Sequence, residues 1–150
     1  MLSSALLFLH IATMFTVVVI HSGPQILVLA AARTGQSAAV VGIAGMYART
    51  GRAVPPLGIL GLLFGIATAL TGGFNLLAPW LLIAYGLFLV LVIYGGVKSH
   101  PYIVSLGEAV REGRPGHQEL LGRPLTMIVA VDALIYGAII ADMVLKPFGT

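Results

Sequence analysis

From Leu2 to Ala32 the chain carries no charged residue, and its middle reads LHIATMFTVVVIHSGPQILVLA from Leu9 to Ala30. A run of that kind suits one medium. A hydrocarbon core about 30 Å thick is crossed by about 20 apolar residues in an α-helix, which satisfies every backbone amide within the segment. Three further apolar runs follow. Together they predict four spans, at about 3–32, 57–77, 79–97 and 125–145. The expected fold is an all-α, integral membrane four-helix bundle forming one domain over residues 1–150. Composition agrees: 9% of residues are charged and 59% hydrophobic, where a soluble domain carries roughly a quarter charged residues.

The first span exceeds what a bilayer requires, which implies tilt, projection past one interface, or a bend at Gly23-Pro24, where Pro24 frees the carbonyl of Ile20. No Lys or Arg precedes it, so it is read as a retained span rather than a signal peptide. Arg33 ends it. In the link over 34–54, Val40, Val41, Ile43, Met46 and Tyr47 suggest a short interfacial helix. Pro55-Pro56 opens the second span. There Gly61, Gly65, Ala69 and Gly72 lie on one stripe, the small-residue seam along which apolar helices approach closely in lipid. Pro79-Trp80 opens the third span, with Pro at a helix start and Trp at the interface. Lys98 and His100-Pro101 are expected to close it. Ser105 to Glu112 allows one or two helical turns before Gly113-Arg-Pro-Gly116 breaks the chain. In the fourth span Asp132 and Tyr136 share a face, and Ala133, Gly137 and Ala141 form a second small-residue seam. Asp142 and Lys146, at i and i+4, predict a solvated ion pair.

The basic residues give the expected orientation. Arg33, Arg49 and Arg52 fall in the first link, and Lys98, Arg111, Arg114 and Arg123 in or beside the third, leaving only Lys146 on the other side. The positive-inside rule puts both links in the cytoplasm and both termini outside. The net charge of +3 is therefore a matter of topology and does not point to nucleic acid. With no cysteine in the chain, disulfides, thiolate metal sites and Cys nucleophiles are excluded. No Walker loop, H-E-x-x-H or G-x-S-x-G occurs. Few charges in the spans and no repeat or paired broken helices argue against an independent transporter.

Chemistry must then come from a few polar residues within the spans. His10 and His21 are separated by eleven residues, which returns them to within about 20° on one helix face, roughly 16 Å apart along the axis. His10 lies roughly 12 Å deep from the outer end and His21 near the inner interface, while Asp132 lies roughly 10 Å in from the inner end, between the two levels. A carboxyl group at that depth costs at least about 2.5 kcal/mol on insertion scales, so Asp132 should face the bundle interior. It could relay protons or orient a ligand; equally, it could bond internally to Tyr136 or a threonine. For the histidines the sharp reading is haem b ligation, with His21 and His100 as a pair near the cytoplasmic end and His10 needing another kind of axial partner. Met14 is on the same helix as His10 and cannot lie trans to it. Copper bound by His10, Met14 and His21 meets the difficulty that these spread over too many turns for one coordination shell. The plain alternative is that each histidine is hydrogen-bonded between helices.

Several short motifs carry a family resemblance: Leu9-His10, Arg33-Thr-Gly35, the GIATALTG run from Gly65 to Gly72, and Pro79-Trp80. Over roughly residues 5–100 the chain resembles predicted bacterial integral membrane proteins of unknown function, related to the CopD (copper-resistance D) domain and the HemJ-type protoporphyrinogen oxidase group. The resemblance implies a four-helix, N-out protein of the bacterial inner membrane. In it His10 matches a first-helix histidine associated with haem or porphyrin, and Lys98 a basic residue ending the third helix. The Trp-x-Gly usual after that histidine is missing, since Phe15 to Val19 reads FTVVV. The resulting expectation is a small membrane protein that binds haem b or is otherwise associated with redox chemistry. Its alternatives are a non-catalytic accessory subunit of a larger membrane (respiratory or other energy-transducing) complex, or a homo-oligomer, held by glycine seams, and a copper-handling protein.

Overall fold

The computed structural model describes residues 2–146. Its described residues form helices joined by turns, without a β-strand. The helices are α1 (Leu2–Arg33), α2 (Ser37–Thr50), α3 (Val54–Thr71), α4 (Pro79–Tyr94), α5 (His100–Arg111), α6 (His117–Leu120) and α7 (Arg123–Leu145). A 3₁₀ turn, Gly51–Ala53, joins α2 to α3, and a π-helical turn, Gly95–Ser99, joins α4 to α5. Four continuous helical stretches result: Leu2–Arg33, Ser37–Thr71, Pro79–Arg111 and His117–Leu145, each long and apolar enough to cross a membrane.

Two expected boundaries move. The short helix expected within 34–54 is present as α2, but it is not set apart as a link, because α2 runs into α3 through one tight turn. Pro55 and Pro56 stand in the first turn of α3, where a missing N–H costs nothing. Likewise Lys98 and His100-Pro101 do not close the third helix. Pro101 has no N–H to continue the α pattern, and the backbone answers by widening: the His100 N–H reaches back to the Gly95 carbonyl. The helix then resumes to Arg111. Gly113 and Gly116 both take positive φ, and the break expected there is present.

At about 1.5 Å per residue the 33-residue stretch Pro79–Arg111 is about 50 Å long, well beyond a ~30 Å hydrocarbon core. The excess lies at the end that carries Arg33, Arg49, Arg111 and Arg114, here called the basic end. There α2 and α5 pack on the last turns of α1, burying Val28, Val40, Ala44, Tyr47, Ile103, Leu106 and Leu125. This is a core of the soluble kind, and α5 is amphipathic to match, with Ser105, Glu108 and Arg111 outward. At the opposite end a smaller cluster gathers Ala69, Ala78, Trp80 and Leu81. Lys146 joins it and forms no ion pair with Asp142. Its backbone is left-handed (φ 43°), which takes its side chain out of the helical i+4 register. The ammonium lies 4.8 Å from the centre of the Phe74 ring and 5.3 Å from that of Trp80, a cation–π arrangement.

Along the apolar middle, α1 packs on α3 and α4 packs on α7. Gly61 and Gly65 make the first of these contacts possible. A Cβ on Gly61 would lie 2.6 Å from Met14 Sδ, and one on Gly65 would lie 2.9 Å from the His10 ring. Gly72 serves otherwise: it caps α3 and meets Thr68 and Phe74 of its own turn. Gly137 also lies outside any helix contact within the chain, because a Cβ there would meet nothing within 4 Å. Ala133 and Ala141 are exposed beside it.

Candidate functional site: a buried His–Asp–Tyr cluster under an apolar cavity

A membrane-spanning helix buries few polar groups without cause. Here most of them meet at one level. From α1 comes His21, 4% exposed; from α2, Tyr47; from the π turn, Ser99; and from α7, Asp132, 1% exposed. Tyr47 Oη lies 2.7 Å from His21 Nδ1. On the far side of the ring, His21 Nε2 stands 3.4 Å from Asp132 Oδ2. That same oxygen accepts a 2.6 Å hydrogen bond from Ser99 Oγ. The backbone explains the meeting. The π turn brings Ser99 inward to Asp132, and Gly95 lets the end of α4 close on His21, since a Cβ there would lie 3.1 Å from Cε1. Tyr136, one turn beyond Asp132 on α7, faces the His21 ring at 6.2 Å between centroids.

Above this cluster, between α3 and α4, lies a cavity of about 490 Å³. Its polar end is formed by His21, Tyr47, His100, Tyr136 and Arg52; its walls are apolar, with Val17, Gly58, Leu62, Phe88 and Leu91 among them. Ile59, Leu89 and Val92 line it and are also exposed on the outer surface. The cavity therefore opens sideways, toward the medium that the exposed Leu, Ile, Val and Phe side chains face.

The histidines separate into three environments. His10 faces α3, where its Nδ1 lies 2.7 Å from the Gly61 carbonyl oxygen, a hydrogen bond between helices. It is not brought to Asp132 or to the cavity. His21 has Tyr47 at one nitrogen and Asp132 near the other. The His100 ring lies 4.9 Å from that of Tyr47. Its buried Nε2 is against Gly51, where a Cβ would stand 2.7 Å away. His21 and His100 thus flank Tyr47 at a common level and both line the cavity. Tyr47 stands between their rings and His10 lies apart against α3, so the three histidines do not converge on one ligand position. For copper, His10 and His21 look to different helices, and among the described residues no three His, Cys, Asp or Glu side chains come together as a metal site.

Three members of the cluster escaped the sequence reading: Tyr47, Ser99 and Gln25, the last wholly buried beside Asp132 and Tyr47. Gln25 was open to detection, as an amide one turn from His21 in an otherwise apolar helix. Tyr47 and Ser99 lay where links were expected, and nothing local set them apart. No protein-family model, curated protein or solved structure matches the chain.

Proposed function

We propose that this is a small redox-associated membrane protein that takes a lipid-soluble, metal-free ring compound of the quinone type from the bilayer into the cavity between α3 and α4. It sits in the cell membrane with its basic end in the cytoplasm and both termini outside, as the distribution of Arg and Lys favours. The observation that carries the reading is the coincidence of two features. A cavity open on one side ends on a hydrogen-bonded Tyr47–His21 pair, with the Asp132 carboxylate 3.4 Å beyond the ring. A volume of about 490 Å³ suits a small-molecule pocket, for which about 300–1,000 Å³ is usual. Apolar walls hold the ring and its tail. The polar edge of the ring, a carbonyl or hydroxyl oxygen, meets Tyr47 Oη, which can donate or accept. Haem b, expected from His10, His21 and His100, would need His21 and His100 to meet across the Tyr47 ring that lies between them.

Solvent extraction of the protein purified in native-lipid nanodiscs tests the reading. A bound quinone near one per chain is the expected result, and Tyr47→Phe should weaken rebinding of a short-tailed quinone about three- to tenfold, the worth of one hydrogen bond. Extracts holding phospholipid alone would overturn it. A Soret band that disappears on His10→Ala or His100→Ala would restore haem.

One observation favours a second reading, the accessory subunit. The Ala133–Gly137–Ala141 stripe on α7 is exposed, and a Cβ on Gly137 would meet nothing within 4 Å among the described residues; such stripes associate in lipid. On this reading Gly137→Leu abolishes cross-linking of α7 to a neighbouring subunit in native membranes while leaving the monomer folded. Unchanged cross-linking would dismiss it.

A further inference from the structure

Asp132 has a second carboxylate oxygen, and it is surrounded by other polar atoms that lack a partner. Oδ1 of Asp132, both amide atoms of Gln25, Oγ of Ser22, Oη of Tyr136 and Nε2 of His21 are all buried, and although they lie near one another none closes a hydrogen bond of normal length among the described residues. Gln25 faces Asp132 and Tyr47, and Ser22 faces Tyr136. Five side chains from α1 and α7 thus gather their polar atoms inside the bundle. Unpaired amides and hydroxyls in such a place are costly, and the usual resolution is internal water, each molecule making about three hydrogen bonds to otherwise unsatisfied groups.

We propose that internal water joins these groups, making a small hydrated chamber that forms a proton path to the cavity. Gln25 lies four residues beyond His21 toward the basic end, about 6 Å along α1, so water held by Gln25 stands between Asp132 and the basic end. A proton passes from that water to the Asp132–His21 pair at His21 Nε2. The Nδ1 proton of His21 moves to Tyr47 Oη, and the Tyr47 proton leaves to an acceptor in the cavity. One proton enters and one leaves, and each group returns to its starting form once the imidazole ring resets. Gln25, Ser22 and Tyr136 are positioning residues here, holding water rather than touching a ligand. The last transfer rests on the quinone reading; the hydration and the path as far as Tyr47 do not.

The test is solvent exchange at the His21 ring, read by magnetisation transfer from water to ¹⁵N-labelled histidine in nanodiscs, with His21→Gln identifying the signal. Wild type should show rapid transfer. Gln25→Leu should slow it about tenfold or more, toward rates that need local opening of the bundle, and Gln25→Asn should largely restore it. Quinone content is read on the same wild-type preparation, so exchange without bound quinone fails the ligand reading alone, and bound quinone without exchange fails the path alone. If Gln25→Leu does not fold, Tyr136→Phe and Ser22→Ala should each show the same slowing. No transfer in wild type, or equal rates in all these variants, would overturn the proposal. So would a melting temperature that rises in Na⁺ over N-methylglucamine, since that assigns the chamber to a cation.

Discussion

Leucine at Gly61 or Gly65 is expected to force α1 away from α3 and to destabilise the bundle by about 2–3 kcal/mol at each position, the upper part of the range for overpacking. The reason is specific to these two sites. Each faces a side chain of α1 at a distance that no Cβ tolerates, Met14 Sδ at 2.6 Å and the His10 ring at 2.9 Å. Met14 can shift, because its side chain is unbranched and flexible. His10 cannot shift freely, since its ring is tied to the Gly61 carbonyl. Gly65→Leu should therefore cost more than Gly61→Leu, and His10→Ala should relieve part of the Gly65→Leu penalty by removing the ring it meets. Gly137→Leu is the control, with open space at its Cβ and an expected change within about 0.5 kcal/mol, as for a surface site. Denaturant titration in bicelles, followed by circular dichroism, gives the order. Equal losses at Gly65 and Gly137 would mean that the α1–α3 approach is not what the glycines serve.

The contrast between Gly65 and Gly137 also shows what a sequence of this kind reveals. Both sit on small-residue stripes of apolar helices, and from spacing alone the two stripes are equivalent. Only the arrangement of helices says that one is covered within the chain and the other is not. The helical class was legible because long apolar runs without charge leave the backbone few ways to satisfy its own hydrogen bonds, and their length marks them directly. Helix ends were less legible. Pro55-Pro56 and His100-Pro101 read as stops, yet one falls in a first turn and the other is absorbed by a π turn. That second error hid the site: a helix ending at Lys98 has no reason to place Ser99 and His100 beside Asp132 and Tyr47. The same applies to Tyr47, which a link would have left at the interface and α2 instead buries. Asp132 and His21 were found because polar side chains in apolar runs stand out. Their direct partnership was not, because depth along two helices does not fix which faces meet.

That partnership makes the strongest energetic prediction. His21→Leu takes the neighbour at 3.4 Å from the buried Asp132 carboxylate, while Asp132→Leu leaves the buried His21 Nε2 facing leucine, so each single change leaves one member of the pair without the other. Each buried group left without its partner costs about 1–3 kcal/mol, so either single change is expected to destabilise by about 2–4 kcal/mol. The double variant His21→Leu/Asp132→Leu should be no worse than either single one. Both faces of the lost contact are then apolar, no buried carboxylate remains to be desolvated, and Ser99 can turn its hydroxyl to a carbonyl of its own helix. Tyr47 keeps the cavity as an outlet. Stability and function should therefore come apart. The double variant should fold like wild type within about 1 kcal/mol, a coupling of several kcal/mol between the two positions, and yet show no proton exchange at the site. Additive losses in the double variant would mean that His21 and Asp132 contribute separately, as packing, and that the cluster is not the unit from which chemistry is to be read.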